Sequence, residues 1–465
     1  ELFTYSLPDQ EPVLVNARAA AIGVLPALPQ EPAAPPSDPA PPRAHRQVYI
    51  EGKWLETPVY DFDALAPGQE IAGPAIVESE TTSETASSET TAESTTPPTS
   101  SSAATSSLPA VEPVRMNHIQ VIGSHNSFHL VPQPVLFEGI VAVSAELGRD
   151  IEYSHRTLTE QLVEFGIRQF ELDVFADPDG GLYANRAANA VVGLAVESGE
   201  PALNDPGFKV MHTQDFDYET TCFTLVACLS EIDAWSSDNR NHVPIVVLIE
   251  LKSLSVPEAA AEAGLILDID LPWAVPVETT ADVLLALDAE VRSVFSSDRL
   301  LEPDEVRGDA ATLAEAVEGT GWPELASARG QVVVVLNDAG SQRNLYITST
   351  PVLEGRPMFT SSTPGAPDAA FIRFDDPADP GLNAAAAAGY LIRTRTDSPT
   401  VDARTNGTTR RETALASGAH FLSTDYYEPS THFDSPYVVV LPGRTVARCN
   451  PITAPASCSP ELLAE

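Results

Sequence analysis

The sequence is short of three things, and each shortage narrows what the protein can be. Basic residues are few: 26 Lys and Arg stand against 66 Asp and Glu, a formal charge of −40. A surface of that sign repels polyphosphate, which argues against nucleic acid as a partner. Anionic lipid is repelled as well, unless a local patch or a bound cation reverses the sign. Long apolar runs are missing. No stretch approaches the roughly 18 residues that span a bilayer, so no transmembrane segment is expected. The chain opens on Glu1 and shows no basic-plus-apolar export segment, so localisation has to be argued from other features. Cysteine is scarce too. Cys222, Cys228, Cys449 and Cys458 form two close pairs with no CxxC spacing, which disfavours zinc. Two local disulfides, Cys222 with Cys228 and Cys449 with Cys458, suit an exported protein; buried free thiols are the alternative.

What is present divides into zones. The 465 residues leave room for two or three domains at roughly 100–200 residues each. An apolar fraction of 43% fits globular protein. Residues 1–77 begin Pro-rich and then alternate apolar and polar positions from Gln47 to Val77, a pattern of short strands and turns. The phrase "LAPGQEIAGPAIVE" in this zone resembles the C-terminal segment of hydantoinase/oxoprolinase A-type subunits, without their nucleotide-binding portion. Residues 78–110 are more than half Ser and Thr with scattered Glu and Pro. Such a stretch buries too little apolar surface to offset its ordering entropy and reads as a disordered linker. A catalytic domain is expected over 111–450, followed by a tail over 451–465.

In the third zone strand-like and helix-like segments alternate. Strands are expected at Ile119–Gly123, Gln169–Val174, Phe208–His212, Ile245–Glu250, Gln331–Leu336, Phe371–Phe374, Tyr390–Arg393 and His420–Ser423. Helices are expected at Thr159–Phe165, Thr224–Ser236, Ala281–Phe295 and Thr408–Ser417. Apolar runs such as "IVVLIE" and "QVVVVL" suit strands buried on both faces. The α/β pattern therefore predicts a (β/α)8 TIM-type barrel, with an open doubly wound sheet as the rival.

Polar residues cluster where these strands end. His125 and Asn126 follow the first, Glu171 and Asp173 close the second, His212 closes the third, and Glu250 and Lys252 close the fourth. In a barrel those ends line one mouth. Glu171 and Asp173 share a strand face, and Glu250 follows five apolar residues, so uncompensated carboxylates there are costly. The local alternative is a face that meets solvent or Arg168. A bound cation compensates all three carboxylates. With the Asn126 carbonyl they form an all-oxygen set suited to Ca2+ better than to Mg2+ or zinc. Imidazoles supply acid and base work near neutral pH. Lys252 either meets a phosphate or pairs with Glu250.

The motifs "HNS", "ELD", a third-strand His and a fourth-strand Glu, in that order and spacing, resemble calcium-dependent phosphoinositide-specific phospholipases C. The text around them, such as "LTEQLVEFGIRQFELDVFADPDGG" and "GYLIRTRTDSPTVDARTNGTTRRETALASGAHFLSTDYY", is similar to the secreted bacterial branch. The resemblance implies Ca2+ held by Asn126, Glu171, Asp173 and Glu250, with His125 and His212 catalytic. It also implies Lys252, Arg393 and Arg395 near the phosphate or inositol. A phospholipid at a membrane surface, a monomeric enzyme and a secreted or cell-surface location follow from the same resemblance. Glycerophosphodiester phosphodiesterases share an E-x-D motif but usually carry His-Arg-Gly after strand one, where this chain has His125-Asn126-Ser127. A non-catalytic calcium-binding domain on a stalk needs neither histidine, and a hydantoinase-family subunit lacks its nucleotide-binding part. Finally, Phe128, Leu130, Val131, Leu136 and Phe137 after strand one read either as an apolar rim for a lipid interface or as core.

Overall fold

The computed structural model describes residues 42–50, 53–61, 76–78, 112–265, 267, 269–398 and 400–465. The chain divides into two compact units, Glu1–Thr105 and Ser106–Glu465. In the first, strand Ala44–Ile50 pairs antiparallel with Lys53–Asp61, which pairs in parallel with Ile76–Glu78. The expected β-rich character holds for these residues. The Pro-rich stretch before residue 42 and the Ser/Thr-rich stretch over 79–111 lie outside the described residues.

The second unit is built on eight parallel strands: β1 (Ile119–Ser124), β2 (Gln169–Phe175), β3 (Ile245–Lys252), β4 (Val332–Leu336), β5 (Met358–Thr360), β6 (Phe371–Arg373), β7 (Leu391–Arg395) and β8 (Phe421–Thr424). They lie side by side in chain order, and β8 pairs with β1. The bridge Ser361↔Phe371 joins β5 to β6, which makes the sheet a barrel and removes the open-sheet alternative. Long β-branched runs explain β3 and β4. Ile245 to Ile249 and Val332 to Leu336 are buried throughout, between barrel interior and outer helices. Truncating one of them, for example Leu248→Ala, is expected to cost about 2–5 kcal/mol.

One strand assignment is corrected. Phe208–His212 contributes only Lys209–Val210, antiparallel to β2 on the outside of the barrel order, and the missing barrel strand is Met358–Thr360. The eightfold count survives because a short strand was missed where a false one was added. "FKVMH" is apolar enough to read as a strand, whereas three residues of β5 give no period to read.

The expected helices form close to their expected bounds. Leu158–Glu164 is opened by a capping box in which Glu160 N donates to Thr157 Oγ1 and Thr157 N donates to the Glu160 carboxylate at 2.9 Å. Leu225–Asp238 is capped by Thr224 and buries Leu225, Cys228, Leu229 and Ile232, one stripe at helical spacing. Disulfides join Cys222 to Cys228 and Cys449 to Cys458. The final residues fold back on the barrel: Leu463 is buried, and Arg168 Nε donates to Glu465 Oε1 at 2.9 Å. Arg168 therefore serves Glu465, and Glu171 and Asp173 are both buried, which removes the solvent-facing reading of that strand face.

Candidate active site

The carboxylates come from neighbouring strands. Register places Asp173 on β2 opposite Glu250 on β3, and ligand oxygens of Glu171, Asp173 and Glu250 lie within 4.8 Å of one another. Glu171 accepts from Arg393 Nη2 at 2.7 Å and from Asn337 Nδ2 at 3.2 Å. Glu250 lies 2.5 Å from Lys252 Nζ. Burial opposes its charge, but Lys252 and Arg373 outweigh that and hold its pKa at about 2. Asp173 is the exception. It is 1% exposed, and neither of its oxygens accepts an aligned hydrogen bond, although Lys252 Nζ stands 3.1 Å from Oδ2. Burial, helped by Glu250 and Glu171, pushes its pKa well above the usual carboxylate range despite Lys252. Lys252 thus pairs with Glu250 and with Asp173 together. A buried carboxylate with unsatisfied oxygens, beside two more carboxylates, fits a hard oxygen-seeking cation such as Ca2+.

The loop after β1 is tied to this cluster by side chains. β1 and β2 share the single register pair Gly123↔Gln169. A Cβ on Gly123 would lie 2.0 Å from Gln169 Oε1, so glycine makes room for that buried amide. Beyond it, Ser127 takes over. Its N donates to Glu171 O and its Oγ accepts from Glu171 N, both at 2.8 Å. Gln161 Nε2 donates to Ser127 O at 2.7 Å, and Ser124 Oγ donates to Gln161 Oε1 at 2.7 Å. Asn126, at φ 42°, makes the left-handed turn that asparagine tolerates better than most residues. Its Nδ2 donates to the Tyr153 hydroxyl at 3.0 Å, which turns the carbonyl oxygen the other way.

His125 and His212 are each held by a buried aspartate through Nδ1. His125 Nδ1 is 2.8 Å from Asp425 Oδ1 at the end of β8, and Asp425 Oδ2 accepts from Arg395 Nη2 at 2.7 Å. Burial and the nearby Arg395 lower the His125 pKa, with Asp425 and Glu171 acting in the opposite direction. His212 Nδ1 is 2.6 Å from Asp217 Oδ2, while Asp217 Oδ1 lies 2.9 Å from His129 Nε2. Asp217 is 0% exposed. Burial raises its pKa, but the two imidazoles outweigh that and hold it well below the usual carboxylate range. Although His212 is not on a barrel strand, Met211 N donates to Asp173 O at 3.3 Å, which sets His212 beside the carboxylates.

The other expected residues divide. Arg393 meets Glu171 and, at 2.5 Å through Nη1, Asp375. Arg395 sits between Asp397 and Asp425. Within the loop after β1, Phe128 and Leu136 are buried, so for those two the rim reading is wrong and the core reading right. Leu130, Val131 and Phe137 are half-buried.

Sequence reasoning missed Asp217, His129, Asn337, Tyr153 and Asp425. Asp217 lies five residues beyond His212 and was open to a search for a carboxylate near each imidazole. Asn337 and Asp425 stand at the ends of β4 and β8, where the strand-end rule applies equally well. No local signal marks Tyr153, whose hydroxyl reaches Asn126 from another loop.

A family model described as "Phosphoinositide phospholipase C, Ca2+-dependent" matches residues 114–451, the whole barrel and its mouth. The chain belongs to this family. The phospholipase C match covers the strands carrying Glu171, Asp173 and Glu250 and the loops carrying both histidines. Among solved structures, the calcium-dependent phosphoinositol-specific phospholipase C of a Pseudomonas species is 17% identical, over 73% of this chain and 97% of that one, with a TM-score of 0.42. That of Streptomyces antibioticus is 16% identical over 68% and 95%, with the same score of 0.42. The family assignment rests on the sequence match alone. Residues 13–90 match the hydantoinase/oxoprolinase C-terminal domain. The caprolactamase subunit alpha of Pseudomonas jessenii is 36% identical over 86 residues, 18% of this chain and 12% of that protein. An uncharacterized protein of Methanocaldococcus jannaschii is 34% identical over 77 residues, 17% and 11% of the two chains. The chain thus spans only about a tenth of these curated relatives. Among the described residues, no helix is long and apolar enough to cross a membrane.

Proposed function

We propose that this phospholipase C family member cleaves phosphatidylinositol-type lipids to diacylglycerol and an inositol phosphate by internal attack of the inositol 2-hydroxyl. The observation that carries this reading is a pair of aspartate-clamped histidines set around a carboxylate cluster whose central member, Asp173, has unsatisfied oxygens. Asn126, Glu171, Asp173 and Glu250 would hold Ca2+. When bound, such an ion offsets phosphate charge and acidifies a nearby hydroxyl.

The remaining work belongs to the chain. Burial and Arg395 lower the His125 pKa, which favours the neutral ring, and its Nε2 is suited to take the proton of the attacking 2-hydroxyl. Asp425 holds the ring in the tautomer that leaves Nε2 bare. His212, oriented by Asp217, gives a proton from Nε2 to the departing diacylglycerol oxygen. Lys252, Arg393 and Arg395 supply positive charge at the mouth, where they counter the phosphate of the lipid. The two disulfides suit an oxidising compartment, consistent with export.

The test is turnover of a 2-deoxy-inositol lipid beside its parent, with phosphorus NMR of the products. The parent should be cleaved and the analogue bound without reaction. Turnover of the analogue at the parent's rate would replace internal attack by direct hydrolysis.

A further inference from the structure

The loop His212–Asp217 has two sides. His212 and Asp217 belong to the catalytic mouth, while Thr213 and Phe216 from the same turn line an apolar groove of about 260 Å3. A second wall is the helix Pro134–Val143, which contributes Leu136, Ile140 and Val143. A third is the helix Val256–Glu262, which follows β3 and contributes Val256, Ala259 and Ala260. Leu271 and Trp273 are part of the lining as well. The turn is tied to the segments beside the groove. Asp215, in the same turn at φ 72°, accepts from Ala187 N at 2.8 Å and from Ala274 N at 2.9 Å. Gln214 Nε2 donates to Leu254 O at 2.8 Å, tying the turn to the segment after β3.

Among the described residues, none that lines the groove is charged, in a chain whose formal charge is −40. Its edge leaves large apolar side chains open, with Val143 57%, Val191 59% and Ile269 39% exposed. Such a concentration of bare hydrocarbon marks a binding surface. The chemistry of the lining selects the occupant. An extended peptide, whether from this chain or a second copy, would bring backbone N–H and C=O groups that this lining does not satisfy, and a helix, about 10 Å across, is wide for a groove of about 260 Å3. A hydrocarbon chain brings no such groups.

We propose that the groove takes one acyl chain of the lipid whose diacylglycerol oxygen departs beside His212. This rests on the lipid-cleaving reading above. It adds that the leaving group is recognised by the enzyme itself, one molecule at a time, on the side of the turn opposite the acid.

The test uses monomeric esters of inositol 1-phosphate with methyl, hexyl and octyl leaving groups, all below their aggregation concentrations. These alcohols have similar acidity, so the chemistry is held constant while the chain grows. Each buried methylene is worth about fourfold, so kcat/KM for the octyl ester should exceed that for methyl by at least ~100-fold. Ala260→Trp, which fills the groove, should flatten that rise to within about threefold while leaving the methyl ester unchanged. The methyl rate also reports whether the variant folds; if it is lost, Ala263→Trp at the more exposed helix end serves instead. Equal kcat/KM for methyl and octyl in the unaltered enzyme would overturn the proposal. So would an undiminished rise in a filled variant that retains the methyl rate. A dimer in sedimentation that Ala260→Trp dissociates, with the rise intact, would assign the groove to a second copy and overturn it too. Failure of every ester, methyl included, would sink the lipid-cleaving reading and this proposal with it. A methyl ester turned over without any chain-length effect would sink the groove assignment alone.

Discussion

The two histidines solve one problem by opposite routes. His212 draws its aspartate from five residues away, within one turn, and shares it with His129. His125 draws its aspartate from the last barrel strand, 300 residues along the chain, and shares it with Arg395. The first clamp is complete once a short loop closes. The second exists only when β8 has come round to meet β1. Shared partners also separate their electrostatics. A permanent guanidinium stands behind Asp425, whereas a second imidazole stands behind Asp217. In the mechanism proposed above, His125 removes a proton and His212 delivers one.

The largest effect that tests the comparison comes from removing each ring. General acid–base groups contribute about 10²–10⁴-fold, so His125→Ala and His212→Ala should each lower kcat at least ~100-fold. Calcium affinity, measured by calorimetry, should barely change in either. The two should part company on a substrate with a nitrophenol-like leaving group, which restores His212→Ala far more than His125→Ala. Equal rescue would erase the assigned difference.

Removal of calcium by chelation should abolish turnover and lower the melting temperature, because the cluster around Asp173 then loses its compensating charge. Glu171→Gln should do the same to turnover, and equal activity in excess chelator would remove the metal from the account. Next come the clamps. Replacing the aspartate that fixes a catalytic imidazole's tautomer costs up to about 10⁴-fold, and Asp425→Asn and Asp217→Asn should each lower kcat by at least ~10-fold. Asp425→Asn should, in addition, unfold faster with its refolding rate nearly unchanged, because its clamp waits for barrel closure; stopped-flow unfolding and refolding of the two variants measure this.

The smallest effect is on stability against pH. Burial lowers His155, His242 and His420 from 6.5 to about 4, despite hydrogen bonds to carbonyls that act the other way. Between those values the unfolded chain takes up protons that the folded chain refuses. Stability should therefore be complete above about pH 6.5 and fall as the pH drops toward 4. Urea midpoints measured across that window in excess calcium should rise with pH. A flat profile would mean that these rings are open to solvent.

How much of this was legible in the sequence follows the same division. Residues whose role depends on strand ends could be placed from pattern: Glu171, Asp173, Glu250 and His125 all meet at one mouth. His212 reached the site although its strand was assigned wrongly, because the segment Lys209–Val210 lies against β2 whether or not it joins the barrel. Phe128 and Leu136 were ambiguous since an apolar loop residue looks the same to a pattern whether it faces lipid or core. Asp425 and Asn337 also stand at strand ends and were open to the same rule, but their partners lie 300 and 166 residues away, so what they meet shows only in the fold.

The join between β1 and β2 carries a further consequence. Where most neighbours in the barrel share several register pairs, these two share one, and the side chains of Ser124, Ser127, Gln161 and Gln169 add to the join. A ladder changes only in whole steps, since slipping it by one residue turns every side chain to the opposite face. A stitch of side chains can be let out or taken in by a methyl group. The spacing of the His125 loop from β2 thus depends on side chains as well as main chain, and Ser127→Thr, at a fully buried position, is the single substitution that bears on it most directly.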